Sequence, residues 1–217
     1  AVGYPQSLPA AHAQALFEVT MPEPVPGTRD LLVEVRAISV NPVDTKVRRN
    51  TSPAPGECKV LGWDAAGIVR AVGSEVTLFR PGDRVWHAGS ILRPGSNSEL
   101  HLVDERIAGH MPDSLSFAEA AALPLTAVTA WELLFDRLQI ARGAAGSSQS
   151  LLIIGAAGGV GSILTQLARQ LTGLTVIGTA SRPQTQQWLR DLGAHHVIDH
   201  RQPLSQELRR IGLPQVT

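Results

Sequence analysis

One stretch constrains the fold of this chain more than any other: Leu151-Leu-Ile-Ile-Gly155-Ala-Ala-Gly158-Gly159-Val-Gly161-Ser162. A short apolar run ends in a glycine-rich turn, and the turn opens into the amphipathic segment Ile163-Leu-Thr-Gln-Leu-Ala-Arg-Gln-Leu171. Strand, tight turn and helix in succession are the context in which a glycine pattern acts as a dinucleotide fingerprint. Gly158 leaves no side chain in the way of a pyrophosphate, and Gly161 lets the helix pack closely on the strand. Free N–H groups at the helix start, with the helix dipole behind them, favour an anion. The spacing departs from the usual G-x-G-x-x-G because Ala156 stands in the first glycine's place. Ala156, Ala157, Gly158, Gly159, Val160 and Gly161 are therefore the residues expected to line a dinucleotide.

A chain of 217 residues can hold one large domain or two small ones, each with its own core. Hydrophobic residues at 43% against 18% charged exclude a disordered composition. Lys plus Arg and Asp plus Glu balance at 19 each, so no charge excess argues for a nucleic acid or an anionic membrane surface. No apolar run approaches the roughly 20 residues that cross a bilayer. The single cysteine, Cys58, excludes an internal disulfide and a multi-cysteine zinc cage. The opening Ala1-Val-Gly-Tyr-Pro carries neither a basic leader nor a signal-type apolar core, and it lacks an initiator Met, so trimming there and a cytoplasmic setting are expected.

Two halves differ in texture. Residues 1–115 read as short strands broken by Pro and Gly, such as Leu31–Val40, Ala66–Val72 and Glu99–Val103, the rhythm of a small barrel or irregular β-domain. Within residues 116–217 the period changes. Helices are expected over 117–123 and 127–138 with Pro124 between them, then a flexible connector at 142–148. Strand 151–155, helix 160–171, strand 174–179, helix 183–191, strand 196–199 and helix 204–211 follow. Alternating β and α predicts an α/β, doubly wound parallel sheet. Pro214-Gln-Val-Thr217 reads as the opening of a further strand, so this wound sheet is expected to be incomplete.

The order of β-domain, two helices and glycine-rich unit resembles the medium-chain dehydrogenase/reductases, in particular their zinc-independent quinone oxidoreductase branch and bacterial proteins labelled zinc-type alcohol dehydrogenase-like. The resemblance rests on Ser39-Val-Asn41-Pro42-Val-Asp44, Leu61-Gly62-Trp-Asp64-Ala-Ala-Gly67, Val72-Gly73, Pro81-Gly82-Asp83-Arg-Val85, residues 94–106, Leu123-Pro-Leu-Thr-Ala-Val-Thr-Ala-Trp131 and Gly155–Gly161. It implies a GroES-like β-barrel domain joined to a Rossmann domain, lacking the C-terminal third of the family. Relatives pair through Rossmann edge strands that are absent from this sequence, so a homodimer is implied by the resemblance alone. In zinc-dependent relatives a Cys stands where Asn41 stands here and a His-Glu pair where Trp63-Asp64 stands; Asn and Trp cannot supply that coordination, so no metal is expected.

An NAD site carries an acid about 20 residues past the glycines to hold the ribose 2′-OH. Here the second strand runs into Ala180-Ser181-Arg182. No acid repels a 2′-phosphate, and Ser181 and Arg182 can both donate to one, which favours NADPH, as the Ser-Arg pattern does in the resembling family. Ser181 also reads as the cap of the helix that Pro183 begins, with Arg182 solvated.

The nicotinamide supplies hydride, and the protein supplies position and charge. Without a metal to polarise a carbonyl, an acceptor that spreads the arriving charge by conjugation is expected: a quinone or an α,β-unsaturated carbonyl, as the resemblance also implies. The candidate catalytic residues are Asn41, Asp44, Asp64 and Thr129, with Thr129 at the position where relatives contact the nicotinamide amide. Each has a plainer reading: Asn41 as a turn former before Pro42, Asp44 and Asp64 as acceptors that hold loops, Thr129 as a helix cap. Trp63 reads as a pocket wall or as core. His195, His196 and His200 look like metal ligands, but on a strand neighbours point to opposite faces. Two rivals stand beside the reductase reading: an NADPH-binding sensor or structural protein with little turnover, and a catalytically inactive truncated chain.

Overall fold

In the computed structural model, residues 1–143 and 149–216 are described, so most of the connector expected at 142–148 lies outside the described residues. The chain divides into two units, Ala1–Leu125 and Thr126–Thr217.

The first unit is β-rich. Its elements are β1 (Val2–Tyr4), β2 (Phe17–Glu18), β3 (Asp30–Ser39), α1 (Pro42–Asn50), β4 (Lys59–Val60), β5 (Asp64–Val72), β6 (Arg84–Ala88), β7 (Leu100–Asp104), β8 (Ala108–His110) and α2 (Phe117–Ala121). The five-stranded antiparallel sheet runs β7-β3-β5-β6-β8, and a small second sheet runs β2-β1-β4. Period-two alternation sends Val85 and His87 of β6 and His101 and Val103 of β7 inward. Leu31, Val33, Val69, Phe79, Val85 and Val103 form the core of the sheet. Two register shifts between β3 and β5 bend the sheet. At Gly67, on β5, any Cβ would collide with the carbonyl of Glu34, so the close crossing of β3 and β5 requires glycine. Helix α2 packs on β3, β5 and β6, with Ala120 and Ala121 against Ala66 and Met111.

Helix α1 is not expected from the sequence, because Pro42–Asn50 holds only two apolar residues, Val43 and Val47. Local chemistry starts it instead: Asn41 is the N-cap, Pro42 stands where a missing N–H costs nothing, and Asp44 accepts the Asn41 N–H at 2.8 Å.

Helix α3 (Pro124–Trp131) begins at the proline expected to separate two helices, and the chain passes into the second unit within it. It continues as a π-helical stretch, Glu132–Arg137, in place of the single helix expected over 127–138. Then come β9 (Ser150–Ile153), α4 (Gly159–Leu171), β10 (Thr175–Thr179), α5 (Pro183–Asp191), β11 (His196–Ile198) and α6 (Leu204–Arg210). The strands are parallel in the order β11-β10-β9. Alternation gives the sheet two apolar faces. Leu151, Ile153 and Val176 pack with Leu164, Ala168 and Leu189 of α4 and α5, while Ile177 and Ile198 pack with Leu204 and Leu208 of α6. The unit is a doubly wound α/β layer structure, as the alternating pattern predicts. Among the described residues no helix is long and apolar enough to cross a membrane.

Candidate functional site

The glycine-rich turn follows β9 and leads into the 13 residues of α4. Gly155 holds a left-handed φ of 70°, a conformation glycine adopts without strain. Its carbonyl accepts the Gly158 N–H at 3.0 Å, and its own N–H donates to Thr179 Oγ1 at 2.9 Å. Ala156 is fully buried beneath the turn, so it supports the site by packing. A Cβ on Gly161 would lie 2.5 Å from the Ala156 Cα, so only glycine lets the first turn of α4 settle there. Gly158 is the exposed N-cap, and a Cβ there would meet only the Gly155 carbonyl at 3.3 Å. Gly159 is exposed beside it, with Ala157 and Val160 half-buried against the core. The opening N–H groups of α4 have no carbonyl one turn earlier in the helix, and the dipole points the same way. The turn therefore fits a pyrophosphate: an open backbone face, no obstructing side chain and a helix start behind it.

At the end of β10 the chain reaches Ser181 and Arg182, and the first acid beyond the strand is Asp191. The cap of α5 is Arg182, not Ser181, because Pro183 takes the first helical position. The Arg182 side chain does no capping; its carbonyl accepts from Thr185 Oγ1 and from the Gln186 N–H, each at 2.9 Å. The guanidinium is exposed and enters no ion pair among the described residues. A serine hydroxyl and a guanidinium with no neighbouring acid suit a phosphate.

In the first unit, Asn41, Asp44 and Asp64 come together. Asp64 has no solvent exposure; its Oδ2 accepts from Asn41 Nδ2 at 2.7 Å and from Ser39 Oγ at 3.0 Å, and its Oδ1 accepts the Leu125 N–H at 2.7 Å. Burial raises its pKa, the three donors oppose that rise, and the Asp44 charge adds to it. Asp44 is buried too, and burial likewise raises its pKa against the pull of backbone N–H donors at Asn41 and Gly62. Asp44 Oδ1 is buried without a hydrogen-bond partner among the described residues. The cluster ties the start of α1 to β5 and to the chain at Leu125, the loop-holding role of the plainer reading. Thr129 belongs to the second unit and is exposed within α3, so it does not cap that helix. Trp63 is core, 4% exposed among Tyr4 and Leu61 rather than a pocket wall. Cys58 is half-buried and burial pushes its thiol pKa up, away from reactivity.

Sequence reasoning passed over a buried histidine pair. His87 and His101 stack with ring centroids 5.0 Å apart and planes inclined by 21°. Burial lowers their pKa values to about 3 and about 4, so both rings are neutral at physiological pH. His101 Nε2 meets the Pro94 carbonyl at 3.1 Å; both nitrogens of His87 and Nδ1 of His101 have no partner among the described residues. The alternation that places Val85 and Val103 inward places these two inward as well, which is the signal that finds them. His195 precedes β11, and its Nδ1 accepts the Val176 N–H at 2.8 Å, a structural tie. Among the described residues no group of three His, Cys, Asp or Glu side chains could hold a metal ion.

Residues 27–131 match the alcohol dehydrogenase GroES-like domain. A zinc-type alcohol dehydrogenase-like protein of Staphylococcus aureus is 47% identical over 196 residues, 89% of this chain and 57% of the relative. A crystal structure from Rhizobium etli, named for a zinc-dependent alcohol dehydrogenase, is 58% identical with a TM-score of 0.95, over 100% of this chain and 63% of that one. The Escherichia coli quinone oxidoreductase complexed with NADPH is 32% identical with a TM-score of 0.78, over 98% of this chain and 62% of that one. The chain thus spans about 57–63% of the length of these relatives. With a GroES-like domain followed by a parallel Rossmann sheet, and with zinc-type alcohol dehydrogenase-like and quinone oxidoreductase relatives, the chain belongs to the medium-chain dehydrogenase/reductase superfamily.

Proposed function

We propose that the protein is an NADPH-dependent, zinc-independent oxidoreductase that passes hydride to a quinone or an α,β-unsaturated carbonyl. The observation that carries the nucleotide half is the turn from Gly155 to Gly161, which leaves an open backbone face at the start of α4. Ala156 and Gly161 seat the helix, and Ala157, Gly158, Gly159 and Val160 present the backbone to a pyrophosphate. Ser181 and Arg182 receive the 2′-phosphate where an acid would receive a 2′-hydroxyl. A bound nicotinamide supplies the hydride, and Thr129 on α3 holds its amide. Asn41, Asp44 and Asp64 complete the set of candidate catalytic residues, with Asn41 as a hydrogen-bond partner for a carbonyl or for the nicotinamide-ribose region. With Asn41 and Trp63 standing where zinc-dependent relatives carry ligands, the charge that arrives with hydride is spread by conjugation in the acceptor. A small-molecule acceptor, a homodimer and a cytoplasmic setting complete the reading.

One observation favours a second reading, an NADPH-binding protein with little turnover: Asp64 is saturated by donors within the protein and is fully buried. Fluorescence titration with NADPH and NADH, followed by NADPH oxidation with quinone and enone acceptors, separates the two. Preference for NADPH with rapid acceptor-dependent oxidation supports the reductase; preference without oxidation supports the second reading. Equal binding of both nucleotides overturns the 2′-phosphate assignment.

A further inference from the structure

We infer that Thr179 is a positioning residue that couples the pyrophosphate turn to the corner that selects between NADPH and NADH. The inference rests on the NADPH reading above and concerns how the two ends of that site are held in register.

Thr179 is the last residue of β10 and is 1% exposed. Its backbone is fixed by the sheet: it pairs with Ile198 of β11, and the next residue, Ala180, donates its N–H to the Ile198 carbonyl at 3.0 Å. On the other side, pairing with β9 stops one residue earlier, at Gly178 and Ile153. Beyond that point the glycine-rich turn leaves the sheet with no backbone ladder to hold it. The Thr179 hydroxyl bridges this gap by accepting the Gly155 N–H at 2.9 Å. Gly155 then accepts from Gly158, and Gly158 accepts the Ser162 N–H at 2.8 Å, so the tie reaches the first turn of α4. In the other direction Thr179 lies two residues from Ser181 and three from Arg182.

A glycine at left-handed φ has many alternative conformations, and an untied turn would sample them. Holding the turn before the ligand arrives removes an ordering cost from binding. NADPH must engage the turn and the corner together, whereas NADH gains only from the turn. Loosening the tie therefore penalises NADPH more, which a general loss of stability would not do.

The test is nucleotide titration of the chain and of Thr179→Val and Thr179→Ser. Valine keeps the β-branched shape and removes the acceptor; serine keeps the acceptor. The expected result for Thr179→Val is about tenfold weaker NADPH binding, the scale of one hydrogen bond to a preorganised turn, with a smaller loss for NADH. Thr179→Ser should restore both the affinity and the preference. Unchanged affinities in Thr179→Val, or equal losses for both nucleotides that serine does not restore, overturn the inference. Failure of the parent chain to bind either nucleotide overturns the NADPH reading and this inference with it. Preference in the parent that survives Thr179→Val overturns this inference alone. If Thr179→Val fails to fold, amide hydrogen exchange decides: the Gly155 N–H is expected to be protected in the parent and in Thr179→Ser, and rapid exchange there overturns the tie.

Discussion

The side-chain nitrogen of Asn41 lies 2.7 Å from Oδ2 of Asp64, a carboxylate with no exposure to solvent. Removing this donor leaves a buried oxygen short of a partner. Asn41→Ala is expected to destabilise the fold by about 1.5–3 kcal/mol, the range for a hydrogen bond to a charged group. Urea unfolding measures this directly, and a midpoint equal to that of the parent would show that the bond contributes no net stability.

The stacked histidines predict an acid-side loss of stability. Their pKa values fall from 6.5 in the unfolded chain to about 3 and about 4 in the fold, so below pH 6.5 the unfolded chain binds more protons. Stability is then present above pH 6.5 and is lost as pH falls toward 4. Near pH 5 the difference approaches two protons, a slope of about 2.7 kcal/mol per pH unit. Asp44 and Asp64, raised by burial, work in the opposite sense above their ordinary range. Comparing the parent with the double variant His87→Leu, His101→Leu isolates the histidine contribution: unfolding midpoints measured between pH 5 and 7 should flatten in the variant.

Two glycines of the turn should respond differently to alanine. Gly161→Ala places a methyl 2.5 Å from the Ala156 Cα, and backbone cannot yield as a flexible side chain does. About 1–3 kcal/mol of stability should be lost, with nucleotide binding. Gly158→Ala brings a methyl to 3.3 Å from the Gly155 carbonyl, a tight contact rather than a clash, so it should lower the melting temperature less than Gly161→Ala while weakening the nucleotide, because the methyl stands where the pyrophosphate would approach. Thermal melts beside titrations separate the two effects.

Arg182→Ala should weaken NADPH by about tenfold, or 1.4 kcal/mol, and leave NADH unchanged. The exposed guanidinium has no ion pair to lose among the described residues, so stability should not move. Equal loss for both nucleotides would place Arg182 elsewhere than at a 2′-phosphate.

The second unit was legible because its signals are local. Apolar runs with strand length, helical periodicity and glycines between them name β9, α4, β10 and α5 within a residue or two of their observed bounds. Helix α1 was hidden because two valines make a weak periodic signal, and the Asn41–Asp44 cap that starts it also reads as a turn. The cap of α5 was assigned one residue early, since Ser181 has the better capping chemistry but Pro183 sets the helix start. The π-helical stretch at Glu132–Arg137 has no composition that distinguishes it from α-helix.

By itself the sequence determined the two-part architecture, the parallel winding and the place of the glycine turn, since each follows from neighbours along the chain. Only the tertiary structure decided that Asn41, Asp44 and Asp64 form one buried cluster, that His87 stacks on His101, and that Thr179 holds Gly155. Those partners lie 3 to 24 residues apart in the sequence. Apart from the Asn41–Asp44 cap they meet where strands cross or end side by side, a placement set by sheet register and packing rather than by any local preference.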